Sequence, residues 1–520
     1  MEAIGTSSQN ITFTRSGGSG TWGGLKLQSG SSSSHLKYCT IEHVQTYGGA
    51  ALSLLSSSPT IEYCTITDNV NYGTNGIYVS NRDPEIHHNS ITDNGGYGIS
   101  YYNSSGNVYA NMIDGNSTGA IKCFNYSSPD FGKSGFDAYN GNNTLVNSAY
   151  GLYADYHSAP YVGSQGNSLY YSNNRIFSNS TYNIKATSYS DVLAENNWWN
   201  STDYATIAAT INYDGTSSVD FNPYLSSDPG IPAGLPKRAF FTNHTTDSDD
   251  ARMLLNSARD LRISKDFSSA KNELSNLLAA AKSMEYKIFA LMEIYFCYRD
   301  SKDESFLQLI DPRKLTDELA QVWTMIKAKS EILAGNYSEA IEIYEDILTS
   351  NPVDQFQLAV LTDLFHLYFS EIKNLGRAAE VAKALETNFA EDENTALASW
   401  LLDGSETGSD SYSPRIVSNN NNASILQGNS PNPFNPSTSI HFALPHEGAV
   451  TIRIFNLLGE EVNAFENLIK AAGSHVVFWD GRDKNGQEIS SGVYFYQIIY
   501  RSNENGSKPI IKNMKMTLVR

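Results

Sequence analysis

Apolar and polar positions alternate in short runs over the first 230 or so residues, and one run recurs. Leu36-Lys37-Tyr38-Cys39-Thr40-Ile41 returns as Ile61-Glu62-Tyr63-Cys64-Thr65-Ile66, as Ile86-His87-His88-Asn89-Ser90-Ile91 and as Val108-Tyr109-Ala110-Asn111-Met112-Ile113. The units step by 25, 25 and 22 residues, and a second apolar position (Leu52, Ile77, Ile99, Ile121) steps by 25, 22 and 22. A period of this size marks a repeat architecture. The units are β-rich runs divided by Gly, Asn, Asp and Ser, with no room for a helix. A single strand cannot bury its apolar face alone, so successive coils must stack, like residue over like, roughly 4.8 Å apart. Cys39, Cys64, Asn89 and Asn111 then form a ladder at one inward corner, where stacked amides hydrogen-bond along the axis.

That is a right-handed parallel β-helix, and the segment resembles the pectate-lyase-like parallel β-helix repeat family. Further coil strands are expected at Gly151-Leu152-Tyr153, Arg175-Ile176-Phe177, Tyr182-Asn183-Ile184 and Val192-Leu193-Ala194, with Ser127 to Asn140 as an inserted loop. Asn196-Asn197-Trp198-Trp199-Asn200 and Val219-Asp220-Phe221-Asn222-Pro223 resemble the terminal coil of such proteins, with Asn200 in place of the usual glycine. Two large aromatics can close the apolar column there. The β-helix is therefore predicted over 1–229. No capping element or signal peptide opens the chain, so the natural N-terminus is expected to lie upstream.

Residues 230–248 read as a Pro/Gly linker, after which the period changes from about 2 to about 3.6. Ala340, Ile341, Ile343, Tyr344, Ile347 and Leu348 form a stripe on one helix face. Gly335-Asn336-Tyr337-Ser338-Glu339-Ala340 resembles the second helix of a tetratricopeptide repeat, echoed at Asp266 to Ala270 and Asn374 to Ala378. Residues 249–404 thus read as a degenerate α-helical repeat segment, a spacer or interaction module, and 405–424 as a Ser/Asn/Gly linker.

From 425 to 520 about seven short strands with Gly/Asn turns predict an immunoglobulin-like β-sandwich. Asn432-Pro433-Phe434-Asn435-Pro436, Val477-Phe478-Trp479-Asp480-Gly481, Ser491-Gly492-Val493-Tyr494 and the final Lys515-Met516-Thr517-Leu518-Val519-Arg520 closely resemble the type A sorting domain of type IX secretion, a relative of the flagellar hook-capping domain. Gly459, Trp479, Asp480, Gly481, Gly492, Lys515 and Met516 match its motif. The resemblance implies an exported protein, secreted or attached to the outer-membrane surface of a Gram-negative cell, with the type IX machinery as partner. Trp479 also reads simply as a core anchor, and the glycines as tight backbone turns.

The formal net charge is −19, and residues 1–236 hold 8 basic against 17 acidic side chains. With no basic block, nucleic acid is excluded as a partner, and no apolar run is long enough for a transmembrane helix. The four cysteines are too scattered for a disulfide framework. Cys39 and Cys64, as ladder neighbours, read as stacked small apolar residues, with a bond between them the other reading. His87-His88 lacks a third ligand at metal spacing and reads as a surface pair.

Three aspartates, Asp68, Asp93 and Asp114, step by 25 and 21 and each follow a ladder isoleucine. They would stack into an acidic stripe for calcium or substrate, or simply make the turn after each strand. Tyr101, Tyr102, Tyr153 and Tyr156 would present flat faces to sugar rings, or pack. No catalytic residue, metal site or cofactor is called for, calcium aside. The expectation is an exported protein whose β-helix binds a polysaccharide, cell-surface glycan or protein. The alternative is a polysaccharide lyase or glycoside hydrolase working through the β-helix groove, which requires a converging set of charged side chains.

Overall fold

The computed structural model describes residues 1–15, 22–30, 33–46, 48–71, 73–131, 141–163, 173–222, 224–229, 249–350, 354–390, 392–403, 426–430, 437–444, 448–456, 461–470, 473–484, 487–502 and 510–518. They form two compact units, 1–410 and 411–520.

In the first unit each coil contributes strands to parallel sheets, and the registers follow the repeat. Leu36, Ile61, Ile86 and Val108 stack in the first sheet. Ile41, Ile66, Ile91, Ile113, Leu145 and Ile176 stack in the second. Leu25, Leu52, Ile77, Ile99, Ile121, Leu152, Ile184 and Ile211 stack in the third. From Leu36 to Ile184 these residues are fully buried in one column. Corners between strands take the left-handed conformation at equivalent positions: Tyr38, Tyr63, His88 and Ala110 at one, His43, Asp68 and Asp93 at another, Ser56, Asn81 and Asn103 at a third.

Buried amides occupy the inside of these corners. Nδ2 of Asn89 donates to Oδ1 of Asn111 (3.1 Å), and the same bond continues from Asn111 to Asn143 (3.0 Å), Asn143 to Asn174 (2.8 Å) and Asn174 to Asn197 (3.0 Å). Asn69, Asn94 and Asn116 form a second ladder at 2.8 Å per step. Cys39 and Cys64 continue the first ladder as free thiols. Every rung satisfies backbone groups that the turning chain leaves without a strand partner, which is what makes polar side chains tolerable in the column. Trp199 meets Phe221 edge-on at 6.2 Å over the last coil. Ile207, from helix α1 (Tyr204–Ala208), is buried in the same cluster.

Among the described residues eight longer helices follow: α2 (Asp249–Ile263), α3 (Phe267–Ala280), α4 (Met284–Ser301), α5 (Asp317–Ala334), α6 (Tyr337–Thr349), α7 (Asp354–His366), α8 (Leu375–Asn388) and α9 (Glu393–Asp403). Asp266, Ser283 and Asn374 cap α3, α4 and α8 through backbone N–H groups, and Gly335 ends α5 with φ 84°. Consecutive helices pack on one another, and the layer lies on the outer face of the third sheet. Alternate residues of that sheet point outward, and Tyr78, Tyr102 and Phe124 share a core with Phe289, Tyr295, Phe365 and Trp400. Helix α4 is buried from Ile288 to Arg299 because it has protein on every side.

Charges are buried in this interface as pairs. Asp363 of α7 accepts from Lys329 Nζ (2.6 Å), Tyr344 OH (2.8 Å), Tyr102 OH (2.6 Å) and Asn125 Nδ2 (2.9 Å). Asp191 of the β-helix meets Arg252 Nη1 at 2.6 Å and Arg259 Nη1 at 2.5 Å. Burial alone would raise the Asp191 carboxyl, but the two guanidiniums hold it below the usual carboxylate range. Arg259 and Arg262 also pair with Glu293.

Two buried histidines give the interface a pH signature. His157 stacks between Tyr126 (5.0 Å) and Tyr189 (5.6 Å), and His366 bonds Tyr78 OH at 2.9 Å. Burial, with Lys329 adding to it, lowers His157 to about 3. Burial also lowers His366, to about 4, against the pull of Asp363. Below an unfolded value of roughly 6.5 the unfolded chain takes up protons that the native one refuses, so stability falls as pH falls from there toward 4. The slope is about 1.4 kcal/mol per pH unit for each histidine. His157→Phe keeps the ring stack, and its urea-unfolding free energy should show that slope reduced by one histidine's share.

The second unit has a three-stranded antiparallel sheet (Leu426–Ser430, Thr438–Leu444, Gly473–Trp479) and a four-stranded one (Glu461–Lys470, Gly448–Phe455, Gly492–Ser502, Ile510–Leu518). Ile440, Phe442, Val450, Ile452, Trp479, Tyr496, Ile498 and Met516 share one core between them.

Candidate binding site

The aspartates do not form one stripe. Asp68 and Asp93 occupy equivalent left-handed corners, at φ 57° and 55°. The corner falls two residues after the ladder isoleucine in every coil, and in the next one it is Gly115 (φ 65°) that takes it, so Asp114 stands one place earlier, in register with Thr92 and Val146. Asp114 there accepts from Asn147 Nδ2 at 2.8 Å. Among the described residues no three His, Cys, Asp or Glu side chains are grouped to hold a metal.

Strand alternation separates the tyrosines. Tyr101 points into the column and is fully buried. Tyr102 points outward from its strand and Tyr156 takes the left-handed corner (φ 49°) after the strand Tyr150–Asp155, and both lie under the helices, 1% and 4% exposed. None of these three offers a ring face to solvent. Tyr153 is half-buried, with Lys185 Nζ 4.4 Å above its ring and Tyr150 at 5.7 Å.

The face richest in chemistry is the outside of the first sheet, away from the helical layer. Strands His35–Lys37, Thr60–Glu62, Glu85–His87 and Asn107–Tyr109 run parallel, so Lys37, Glu62, His87 and Tyr109 form one outward column. The adjoining corner carries Tyr38, Tyr63 and His88. Tyr38 stacks on Tyr63 at 5.1 Å, Tyr63 on His88 at 4.8 Å and His87 on Tyr109 at 4.6 Å. Of these rings Tyr63 is exposed, Tyr38, His87 and His88 are half-buried, and Tyr109 is buried behind His87.

Glu62 Oε1 accepts from His35 Nε2 (2.8 Å) and Lys37 Nζ (3.0 Å). Burial would raise its carboxyl, but Lys37 and His35 outweigh that and keep it below the usual range, hence ionised. Tyr109 OH donates to Glu85 Oε1 at 2.9 Å, and its phenol is pushed up, first by burial and then by that bond. Burial lowers His88. The signal for this face lies in the chain itself: the residue before each ladder position is Tyr38, Tyr63, then His88.

In the second unit Trp479 is 1% exposed, and its indole N–H donates to Arg482 O at 2.9 Å. Asp480 accepts from Arg482 N at 3.2 Å and Gly481 turns at φ 69°. Gly492 opens the strand that pairs with Leu518, Lys515 pairs with Phe495 through the backbone, and Met516 is buried. Gly459 lies outside the described residues.

Residues 12–136 match the family model described as a right handed beta helix region. Residues 430–513 match that of the secretion system C-terminal sorting domain, which identifies the chain as secreted through type IX sorting. Matching solved structures include dimeric latent PorU from Porphyromonas gingivalis (22% identity, 18% of this chain and 9% of that one, TM-score 0.16). FLGD from P. aeruginosa matches at 22% identity over 16% of this chain and 61% of that one, with TM-score 0.14. PorZ, a surface component of the type-IX secretion system of Porphyromonas gingivalis, matches at 19% over 18% and 11%, with TM-score 0.13. The chain covers less than two thirds of each. No curated protein matches it.

Proposed function

We propose that the protein is exported to the cell surface or medium and there binds a glycan or surface protein through the outer face of its first sheet. The helical layer, made of tetratricopeptide-like hairpins, would serve chiefly to cover the third sheet, and the C-terminal unit, an immunoglobulin-like sandwich, would act as the export signal. The observation that carries the binding reading is the strip of Tyr38, Tyr63, His87 and His88, backed by the buried Tyr109, around an ionised Glu62. Hydrogen-bonding tips on pre-stacked rings recognise a ligand at little entropic cost. Tyr63→Ala is expected to reduce retention on a glycan or cell-envelope panel at least tenfold, the effect of losing about 1.4 kcal/mol of contact. Unchanged retention would remove this face from the account.

Glu62 and Glu85 on the same face also keep the glycoside hydrolase reading in view. Sugar release from polysaccharides that disappears in Glu62→Gln would favour it over binding alone.

Export is tested separately. Chains lacking 515–520 should accumulate in the periplasm, because half of the last strand, with Met516 and Leu518, is lost from the core. Trp479→Ala should act likewise, costing about 3–5 kcal/mol.

A further inference from the structure

Two imidazole nitrogens converge at the half-buried corner of the third coil. His87 ends its strand and His88 takes the left-handed corner at φ 56°, a turn that brings side chains i and i+1 together. Their Nδ1 atoms are 2.9 Å apart, with ring planes at 84°. Each ring is fixed in place by a tyrosine, His88 by Tyr63 and His87 by Tyr109, the latter pair parallel to within 8°.

The separation selects a chemistry. Imidazole–metal bonds are roughly 2.0–2.1 Å, so two nitrogens at this spacing would meet an ion at an angle of about 90°. A tetrahedral centre would need them about 3.3 Å apart. Right-angled nitrogen donors suit tetragonal ions, Cu²⁺ and Ni²⁺ among the first-row dications. Glu62, beside His87 in the register, and Glu85, two residues before it on the same strand face, add negative charge.

We propose that His87 and His88 chelate a tetragonal first-row dication, Cu²⁺ or Ni²⁺, in adjacent coordination positions, the remaining positions being filled by water or by a donor from a bound partner. At hydrogen-bond distance one Nδ1–H donates to the other Nδ1, and chelation through both nitrogens moves that proton to Nε2 of the donor ring, so the two neutral imidazoles take up the ion with no net release of a proton. The inference does not depend on the face binding glycan.

The test is titration of the full chain with CuCl₂ and NiCl₂ by calorimetry, with copper electron paramagnetic resonance on the product. His88→Tyr puts at the corner the residue already present at 38 and 63, and so keeps the stack; His87→Ala removes the other donor. Either change should weaken the copper site at least about tenfold, the scale on which even outer-shell partners of metal ligands act, while His35→Ala should leave it intact. The wild-type spectrum should show coupling to two imidazole nitrogens, and that of His88→Tyr to one. Equal affinity and equal spectra in wild type and His88→Tyr would overturn the proposal, as would no binding tighter than that of the doubly substituted chain.

Discussion

Replacing Asp363 with alanine is expected to cost the protein about 3–5 kcal/mol, the usual loss when one member of a buried ion pair is removed. Four donors converge on this carboxylate, and the side chain of Lys329 among them is 0% exposed. Burial pushes the Lys329 amine down, and Asp363 is what pulls it back up. Without Asp363 the amine must stay charged and alone or give up its proton, and both options cost. Tyr102 and Asn125 belong to the β-helix while Asp363 and Lys329 belong to helices, so the loss also loosens the layer on the sheet. A chain with both Asp363→Leu and Lys329→Met should regain most of the stability, because the desolvation penalty disappears with the pair. Urea unfolding of the three proteins decides the matter. Equal loss in the single and double variants would mean that the pair's charge is not what matters.

The second large effect is expected inside the column. Asn143 donates to Val108 O (2.8 Å) and Asn174 Oδ1, and accepts from the backbone N (3.1 Å) and Nδ2 of Asn111. Asn143→Ala removes all of these from a fully buried site and leaves several polar groups unpaired, for a loss of about 2–4 kcal/mol. Cys64→Asn should do the opposite. It sits one rung before Asn89, whose Oδ1 already accepts from the Cys64 backbone N–H, and a new amide there extends the ladder. Thermal unfolding of both variants checks the pair of signs.

The repeat is legible in the sequence because a coil buries the same positions every turn. Aligning on Leu36, Ile61, Ile86 and Val108 locates the sheets, the amide ladder and the aromatic end. The acidic stripe fails at Asp114 because it follows its isoleucine by one residue where Asp68 and Asp93 follow theirs by two, and a shift of one residue changes the side chain's place. Tyr102 stands at an outward strand position and Tyr156 at the corner after its strand, but what covers them is a long-range matter that strand alternation cannot report. The one local hint is α4, whose run from Ile288 to Arg299 has too little polar surface for a helix with one wet side. His87-His88 is legible as a surface pair, but its stacking on Tyr63 and Tyr109 is not, because contact across coils depends on which residue takes the corner.

The helices and the third sheet must be a single cooperative body for the first sheet to be the face turned outward. Native-state hydrogen exchange on the full chain tests that directly. Amides of Tyr97–Tyr102, Gly119–Phe124 and the helix Asp354–His366 should open with one shared free energy, and Asp363→Ala should lower all three together. Helices that exchange first, over strands whose protection is unchanged by the substitution, would contradict the account.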